Sequence, residues 1–224
     1  MTRRSITTPE SIHNDDWDRY QSDFEEVENL PRIKIGAKWM NDLQPKIFLD
    51  IGCGPGYLAK TIKKTMSQIE IHGIDFSHVA IEHAESILDK CWCINLDTGE
   101  IPAKSDSYDA IVCLEVLEHV YDADHVLQEI RRVLKPDGRV LISVPNLAYW
   151  RYRLQLMAGQ VPHDEVLSAQ HIRVYNFSTL KNRISLSGLK VEKCWGHGVR
   201  MQKLAYNFPK LFSSTLFVEA TRTK

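Results

Sequence analysis

Cysteine is sparse in this sequence, and neither sign of charge dominates it. The five cysteines among 224 residues are odd in number and lie mostly on predicted strands, which argues against a disulfide framework. A formal net charge of -1 argues against reliance on nucleic-acid or membrane electrostatics. Residues 5–18 contain no apolar stretch that would suit a signal peptide or an anchor. We therefore expect a cytoplasmic protein that acts on small molecules.

The apolar pattern predicts an α/β fold in a single domain. Short apolar runs alternate with helix-length segments, and no linker or repeat interrupts them. This alternation predicts a parallel sheet with helices on both faces, in which ligands bind at the carboxyl ends of the strands. The runs lie at 47–51, 69–74, 91–94, 109–114 and 139–144, and the helical segments lie at 57–66, 78–90 and 122–134.

The first run leads directly into a glycine loop. Asp50 ends the run, and glycines follow at 52, 54 and 56. Three glycines in five residues allow the backbone to turn sharply and to approach a ligand closely. The spacing does not match a dinucleotide fingerprint, and no Gly-Lys-Ser/Thr follows that would indicate a phosphate loop. The loop is therefore predicted to bind a cofactor of another kind.

A second acid stands at the end of the next run. Asp75 can accept hydrogen bonds from two ribose hydroxyls, and it follows Asp50 by about one strand-loop-helix unit. Asn95, Leu96 and Asp97 come after the third run. With these features the chain resembles the class I S-adenosylmethionine-dependent methyltransferases over roughly residues 45–195. The resemblance implies a Rossmann-like sheet of seven strands, mostly parallel with an antiparallel last strand, flanked by helices.

The resemblance also implies the cofactor site and the parts of the domain. The glycines would shape the pocket for the amino acid end of S-adenosyl-L-methionine, Asp75 would hold the ribose, and Asp97 would hold the adenine. The parts would be an N-terminal helical lid (1–44), the cofactor-binding core (45–145), a lid insertion (146–175) and the end of the core (176–224). The implied cofactor-binding residues are Asp50, Gly52, Cys53, Gly54, Gly56, Tyr57, Asp75, Phe76, Ser77, Asn95, Leu96, Asp97, Leu114 and Glu115.

Candidate catalytic residues follow the fourth run. In a helical turn, Glu115, Glu118 and His119 would share one face and could converge on a cation. The stretch resembles the ubiquinone-biosynthesis O-methyltransferases and the small-RNA 2′-O-methyltransferases, which implies a divalent metal such as Mg²⁺, with His171 as a fourth ligand. His119 could instead act as a general base, assisted by His171. A purely structural role for His119 is the third alternative.

Two segments could close over the acceptor. Trp17, Tyr20 and Phe24 recur at helical spacing, which is typical of packing. The insertion that begins at Asn146 is predicted to form a helix over the substrate pocket. Its sequence resembles that of MetW, a methyltransferase-fold family of bacterial methionine synthesis that works through a partner protein. MetW lacks the Glu-x-x-Glu-His cluster present here at 115–119.

The sequence therefore predicts a methyltransferase that uses S-adenosyl-L-methionine to methylate an oxygen or nitrogen of a small-molecule acceptor, as a monomer or homodimer. One alternative is a metal-dependent 2′-O-methyltransferase that acts on an RNA terminus. A near-zero net charge, with few clustered basic residues, argues against that alternative. The other alternative is a non-catalytic partner protein like MetW.

Overall fold

A computed structural model describes residues 27–162, 171–198 and 201–223. The strands form a seven-stranded sheet with the order β3-β2-β1-β4-β5-β7-β6. The predicted fold class is confirmed, because β7 runs antiparallel to β5 and β6 while the pairs β1–β2, β2–β3 and β4–β5 are parallel. The strands are β1 (Ile47–Ile51), β2 (Glu70–Asp75), β3 (Lys90–Cys93), β4 (Tyr108–Leu114), β5 (Leu134–Pro145), β6 (Leu189–His197) and β7 (Thr215–Arg222).

The helices of the described residues agree with the predicted segments in position but are shorter. The segment predicted as a helix over 78–90 is helical only to Ala84, because the amides of Ile87 and Leu88 then turn back to the Ala84 carbonyl. The helices are α1 (Pro31–Leu43), α2 (Tyr57–Lys63), α3 (His78–Ala84), α4 (Ala123–Val133), α5 (Trp150–Met157), α6 (Phe177–Leu186), α7 (Gln202–Asn207) and α8 (Pro209–Phe212).

The chain divides into two compact units, Met1–Asn95 and Leu96–Lys224. In the first unit, β1, β2 and β3 pair in parallel, with Asp50 opposite Gly73 and Asp75 opposite Cys93. The β1 side chains from Phe48 onward are buried. Buried apolar strands of this kind require helices on their faces, which α2 and α3 supply with their own buried residues.

In the second unit, β5 and β7 share the longest register, from Arg139 opposite Thr221 to Pro145 opposite Thr215. Residues 134–138 lie inside β5, where the register with β4 jumps from Leu134 opposite Tyr108 to Arg139 opposite Ala110. The pairing is therefore irregular at the start of this strand. Asp122 caps α4, and Asn176 and Thr179 form a capping box at α6.

Some predictions fall outside the described residues. Trp17, Tyr20 and Phe24 lie there, as does most of the predicted N-terminal lid. The predicted helix of the insertion is present as α5, and it contains no buried residue. Within the described ranges, no helix combines the length and apolar character needed to cross a membrane.

Candidate functional site

The glycine loop of the first unit has the conformation that the sequence predicts. Gly52, Gly54 and Gly56 have φ of 73°, 52° and 85°, in the left-handed region where side chains with a Cβ are strained. The amides of Gly52 and Cys53 donate to the Ile74 carbonyl at 2.8 and 3.0 Å. The loop is thus held against the end of β2. Gly56 then caps α2, whose first residue is Tyr57.

Asp75 joins this loop to the segment that follows β2. Its Oδ2 accepts a hydrogen bond from the amide of Gly54 at 2.8 Å, and its Oδ1 accepts one from the amide of Ser77 at 2.9 Å. Ser77 in turn caps α3 by accepting from the Ala80 amide. Main-chain amides on both sides thus engage the Asp75 carboxylate. One side chain therefore fixes two segments predicted to bind the cofactor.

Asp50 and Cys53 are buried beside this junction. Asp50 is 4% exposed. Burial, and then the charge of Asp75, raise the pKa of Asp50 to about 8. Burial also raises the pKa of the Cys53 thiol. Cys53 therefore acts as a packing residue in the loop, since a thiol needs a lowered pKa to react readily at neutral pH.

Gly73 supports the loop, although the sequence prediction did not include it. A Cβ at this position would lie 2.4 Å from Leu88 Cδ1 and 2.8 Å from Cys53 Sγ, which is closer than a Cβ approaches atoms to which it is not bonded. The available signal was an isolated glycine inside a strand pattern, which indicates a close approach by another part of the chain. Here the approaching residue belongs to the glycine loop.

The remaining residues predicted to bind the cofactor lie at the ends of β2, β3 and β4. Phe76 is half-buried, and its carbonyl accepts a hydrogen bond from the Cys93 thiol. Asn95 is exposed, whereas Leu96 is buried in the second unit. Asp97 Oδ1 accepts from the Asp122 amide at 2.9 Å, so one of its oxygens already holds the start of α4.

The helical turn predicted for Glu115, Glu118 and His119 is wrong. Glu115 follows Leu114 at the end of β4 with a φ of 57°, which is left-handed. Its amide donates to the carbonyl and hydroxyl oxygens of Ser143, and its Oε1 accepts from the Ser143 hydroxyl at 2.8 Å. These bonds to β5 hold Glu115 in the sheet. The chain then turns, with the His119 amide donating to the Val116 carbonyl at 2.9 Å.

Three of the four predicted metal ligands nevertheless come together in the second unit. One ligand atom from each of Glu118, His119 and His171 lies within 4.8 Å of the other two. Glu118 is 1% exposed, and the rings of His119 and His171 have centroids 4.8 Å apart at 71°. Among the described residues Glu115 is not part of this group. The arrangement can move a proton through an imidazole or hold a cation.

Residues 171–175, at the end of the predicted lid insertion, contact the turn that carries this cluster. The amides of Ile172 and Arg173 donate to the Glu118 carbonyl at 3.0 and 3.1 Å. Tyr175, which is buried, donates its hydroxyl to the Leu117 carbonyl at 3.1 Å, and burial raises its pKa to about 12. The residues after His171 thus lie along the turn that carries His119.

Comparison with known proteins identifies the family of the domain. The family profile of the methyltransferase domain matches residues 28–193, which is more than half of the chain. The chain belongs to the methyltransferase domain family. The resemblance to methyltransferases inferred from the glycine loop and Asp75 is therefore confirmed.

Individual relatives share part of their length with this methyltransferase. A Mycolicibacterium smegmatis protein named "Probable S-adenosylmethionine-dependent methyltransferase" is 28% identical over 158 residues, which cover 70% of this chain and 57% of that protein. The ubiquinone biosynthesis O-methyltransferase of Pasteurella multocida is 28% identical over 164 residues, covering 64% and 65%. The matched region is thus less than two thirds of each relative.

Solved structures support the fold. A TehB-like S-adenosylmethionine-dependent methyltransferase from Corynebacterium glutamicum superposes with a TM-score of 0.66 at 17% identity. The match covers 95% of this chain and 99% of that one. At this identity the likeness concerns the arrangement of helices and strands, and it carries no information about the acceptor.

Proposed function

We propose that this methyltransferase transfers the methyl group of S-adenosyl-L-methionine to an oxygen or nitrogen of a small-molecule acceptor. The observation that carries the proposal is the pair of hydrogen bonds from the amides of Gly54 and Ser77 to Asp75. They fix a left-handed glycine loop and a carboxylate at the carboxyl end of β2, where ligands bind in such sheets. We expect Asp75 to accept hydrogen bonds from the ribose hydroxyls of the cofactor at this position.

Each remaining residue of the proposed cofactor site has a role. Gly52, Gly54 and Gly56 would let the backbone approach the amino acid end of the cofactor, and Asp50 would organise the loop. Asp97, which accepts from the Asp122 amide, would also accept from the adenine amino group. Leu96 and Phe76 would pack against the base. Cys53, Tyr57, Ser77, Asn95, Leu114 and Glu115 would complete the lining.

For the transfer itself, we propose His119 as the general base. A neutral imidazole can take a proton from an alcohol, phenol or amine as the acceptor attacks the sulfonium methyl, and it can do so at neutral pH. His171, whose ring centroid lies 4.8 Å from that of His119, would assist. Most of the acceleration would come from holding the acceptor and the methyl group in line and excluding water.

A divalent cation at Glu118, His119 and His171 is the alternative role for the same cluster. One carboxylate and two imidazoles, all within 4.8 Å, fit a cation of this kind. This donor set favours Zn²⁺, Mn²⁺ or Fe²⁺ over Mg²⁺, which prefers oxygen ligands and water. A bound cation would lower the pKa of an acceptor hydroxyl. Glu115 would then serve the fold through Ser143.

Calorimetry with S-adenosylmethionine and S-adenosylhomocysteine tests the cofactor site in the wild type, Asp75→Ala and Asp89→Ala. Asp89 is a matched control, because it also accepts from a strand amide, that of Ile71 at 2.8 Å. It stands before the amino end of β3, whereas Asp75 pairs with the carboxyl end. We expect Asp75→Ala to lose binding and Asp89→Ala to keep it. Wild-type protein that binds neither compound would refute the cofactor site and favour a partner role like that of MetW.

Metal binding needs a separate titration with Mn²⁺, Zn²⁺ and Mg²⁺ in the wild type, Glu118→Gln and Glu115→Gln. If the cluster holds a cation, Glu118→Gln should lose the Mn²⁺ and Zn²⁺ heats while Glu115→Gln retains them. Equal heats of metal binding in all three proteins would argue against a cation at the cluster and would favour His119 as a general base.

A further inference from the structure

The segment 171–175 presents its polar side chains inward and its apolar side chains outward. His171 and Arg173 are half-buried and Tyr175 is buried, whereas Ile172 and Val174 are 41% and 43% exposed. In an extended segment alternate residues share a face. A shift by one residue would bury the two apolar side chains, which burial alone would favour. Specific polar contacts must therefore hold the observed register.

Those contacts are made with main-chain carbonyl groups of the turn at 117–121. The Leu117 carbonyl accepts from the Tyr175 hydroxyl, and the Glu118 carbonyl accepts from the amides of Ile172 and Arg173. These bonds hold the segment on the residues that precede His119. The main chain of residues 171–175 makes no bond to Val120 and Tyr121, the two residues that follow His119.

Arg173 supplies the bonds on that side. Its Nε donates to the Val120 carbonyl at 3.0 Å, and its Nη2 donates to the Tyr121 carbonyl. A guanidinium is planar and carries adjacent donors in a fixed fork, so one side chain can bond two successive carbonyls in a single orientation. Lysine carries the same charge as one flexible point donor and cannot fix both carbonyls in the same way.

We propose that Arg173 is a positioning residue, which sets the His119 and His171 rings against each other by fixing the carbonyl groups of Val120 and Tyr121. It acts through the main chain of the turn, on the residues directly after His119. Tyr175 fixes the other end of the turn through Leu117. The catalytic role of the two rings rests on the proposed function. Their relative position does not, and it can be measured without any acceptor.

Nuclear magnetic resonance of the full chain with labelled histidines tests the placement directly. The ring signals are assigned with His119→Gln and His171→Gln, and the ring-to-ring nuclear Overhauser cross-peak is then measured in the wild type, Arg173→Gln and Arg173→Lys. Arg183→Gln is the matched control, because Arg183 lines the same surface pocket as Arg173 but bonds to Asp124, at 2.8 Å, rather than to a carbonyl group of the turn. Thermal unfolding of each variant sets a temperature at which all are folded.

The expected result is a clear cross-peak in the wild type and in Arg183→Gln, its loss in Arg173→Gln, and a several-fold reduction in Arg173→Lys. A residue that only adds stability would not change the cross-peak of folded protein. An undiminished cross-peak in Arg173→Gln would overturn the proposal. If that variant does not fold, Arg173→Lys decides, since a wild-type cross-peak there would overturn it equally.

Binding of S-adenosylhomocysteine to the same samples separates this proposal from the proposed function. The cofactor residues around Asp75 lie in the first unit, and the two histidines lie in the second. A wild-type protein that does not bind the cofactor would count against methyl transfer while leaving the cross-peak result intact. A protein that binds it normally but keeps the ring contact in Arg173→Gln would count against the positioning role alone.

Discussion

Replacement of Asp50 by asparagine should make the protein without cofactor more stable at high pH. The Asp50 carboxyl is buried, and burial together with the Asp75 charge raises its pKa from an ordinary 3.8 to about 8. Between these two values the folded protein holds a proton that the unfolded chain has released. Because the folded state binds more protons, the free energy of unfolding falls as the pH rises through this window. Asparagine has nearly the same shape and does not titrate.

The size of the effect follows from the width of the window. Each pH unit contributes about 1.4 kcal/mol, so by pH 7 the ionisation of Asp50 costs the wild type about 4 kcal/mol relative to pH 4. This is a large share of the roughly 5–15 kcal/mol by which a domain is stable. We expect Asp50→Asn and wild type to have similar stability near pH 4.5, with the difference growing by about 1.4 kcal/mol per unit until pH 8.

Urea unfolding of both proteins at pH 4.5, 6, 7 and 8, without cofactor, measures this difference. Titrating groups that do not interact with Asp50 contribute equally to both proteins, so the difference reports on Asp50 and on its coupling to Asp75 and Cys53. Asp89→Asn is the control of opposite sign. Burial raises the pKa of Asp89, but the Ile71 amide and Lys63 outweigh it, so the net pKa is lowered and that carboxylate stabilises the fold above the unfolded pKa. A stability difference between Asp50→Asn and wild type that does not change with pH would refute the reasoning.

Three further predictions concern packing and pairing. Gly73→Ala should force Cys53 and the glycine loop to move, costing about 1–3 kcal/mol and weakening cofactor binding in calorimetry. Gly159→Ala is strained by its φ of 72° but meets no atom within 4 Å, so it should leave binding unchanged. Asn146→Ala should cost about 1–3 kcal/mol in urea unfolding, because the buried amide donates to the Ser213 carbonyl and accepts from the Ala148 amide. The bond to Arg132 lowers the pKa of Glu129, so the ionised carboxylate adds to the free energy of unfolding above the unfolded pKa and this stabilisation is lost as the pH falls. Glu129→Gln should therefore be less stable than the wild type at neutral pH, and the difference should shrink below pH 5 in the same unfolding series.

The cofactor loop was predictable because its signals are local. Glycines at 52, 54 and 56 can take left-handed φ without strain, and the sequence places them directly after a buried strand. The acid at 75 ends the next strand, so the parallel pairing of β1 with β2 brings it to the same edge. Each step used neighbouring residues and one general property of parallel sheets. The seven strands followed from the same alternation and from the family resemblance.

Glu115 shows where such local reasoning ends. The spacing of residues 115–119 is compatible with a helical turn. Glu115, the first of these residues, instead has a positive φ, which a helix does not allow. The cause is Ser143 on β5, whose hydroxyl and carbonyl oxygens both accept from the Glu115 amide. No spacing within 115–119 encodes that contact. The strained conformation is sustained by a tertiary bond, and only the folded chain reveals it.

The approach of His171 to His119 was anticipated from resemblance, but its physical cause runs against the usual pattern rules. Alternation over 171–175 would assign Ile172 and Val174 to the buried face, whereas the structure exposes both. Left unpaired, the carbonyl groups of the buried residues Leu117 and Val120 would cost more than two exposed aliphatic side chains, and Tyr175 and Arg173 bond to them. Places where a local rule fails against a tertiary requirement are expected at functional sites. The inverted face of this segment therefore supports the placement of the proposed chemistry at the two histidines, independently of the family to which the chain belongs.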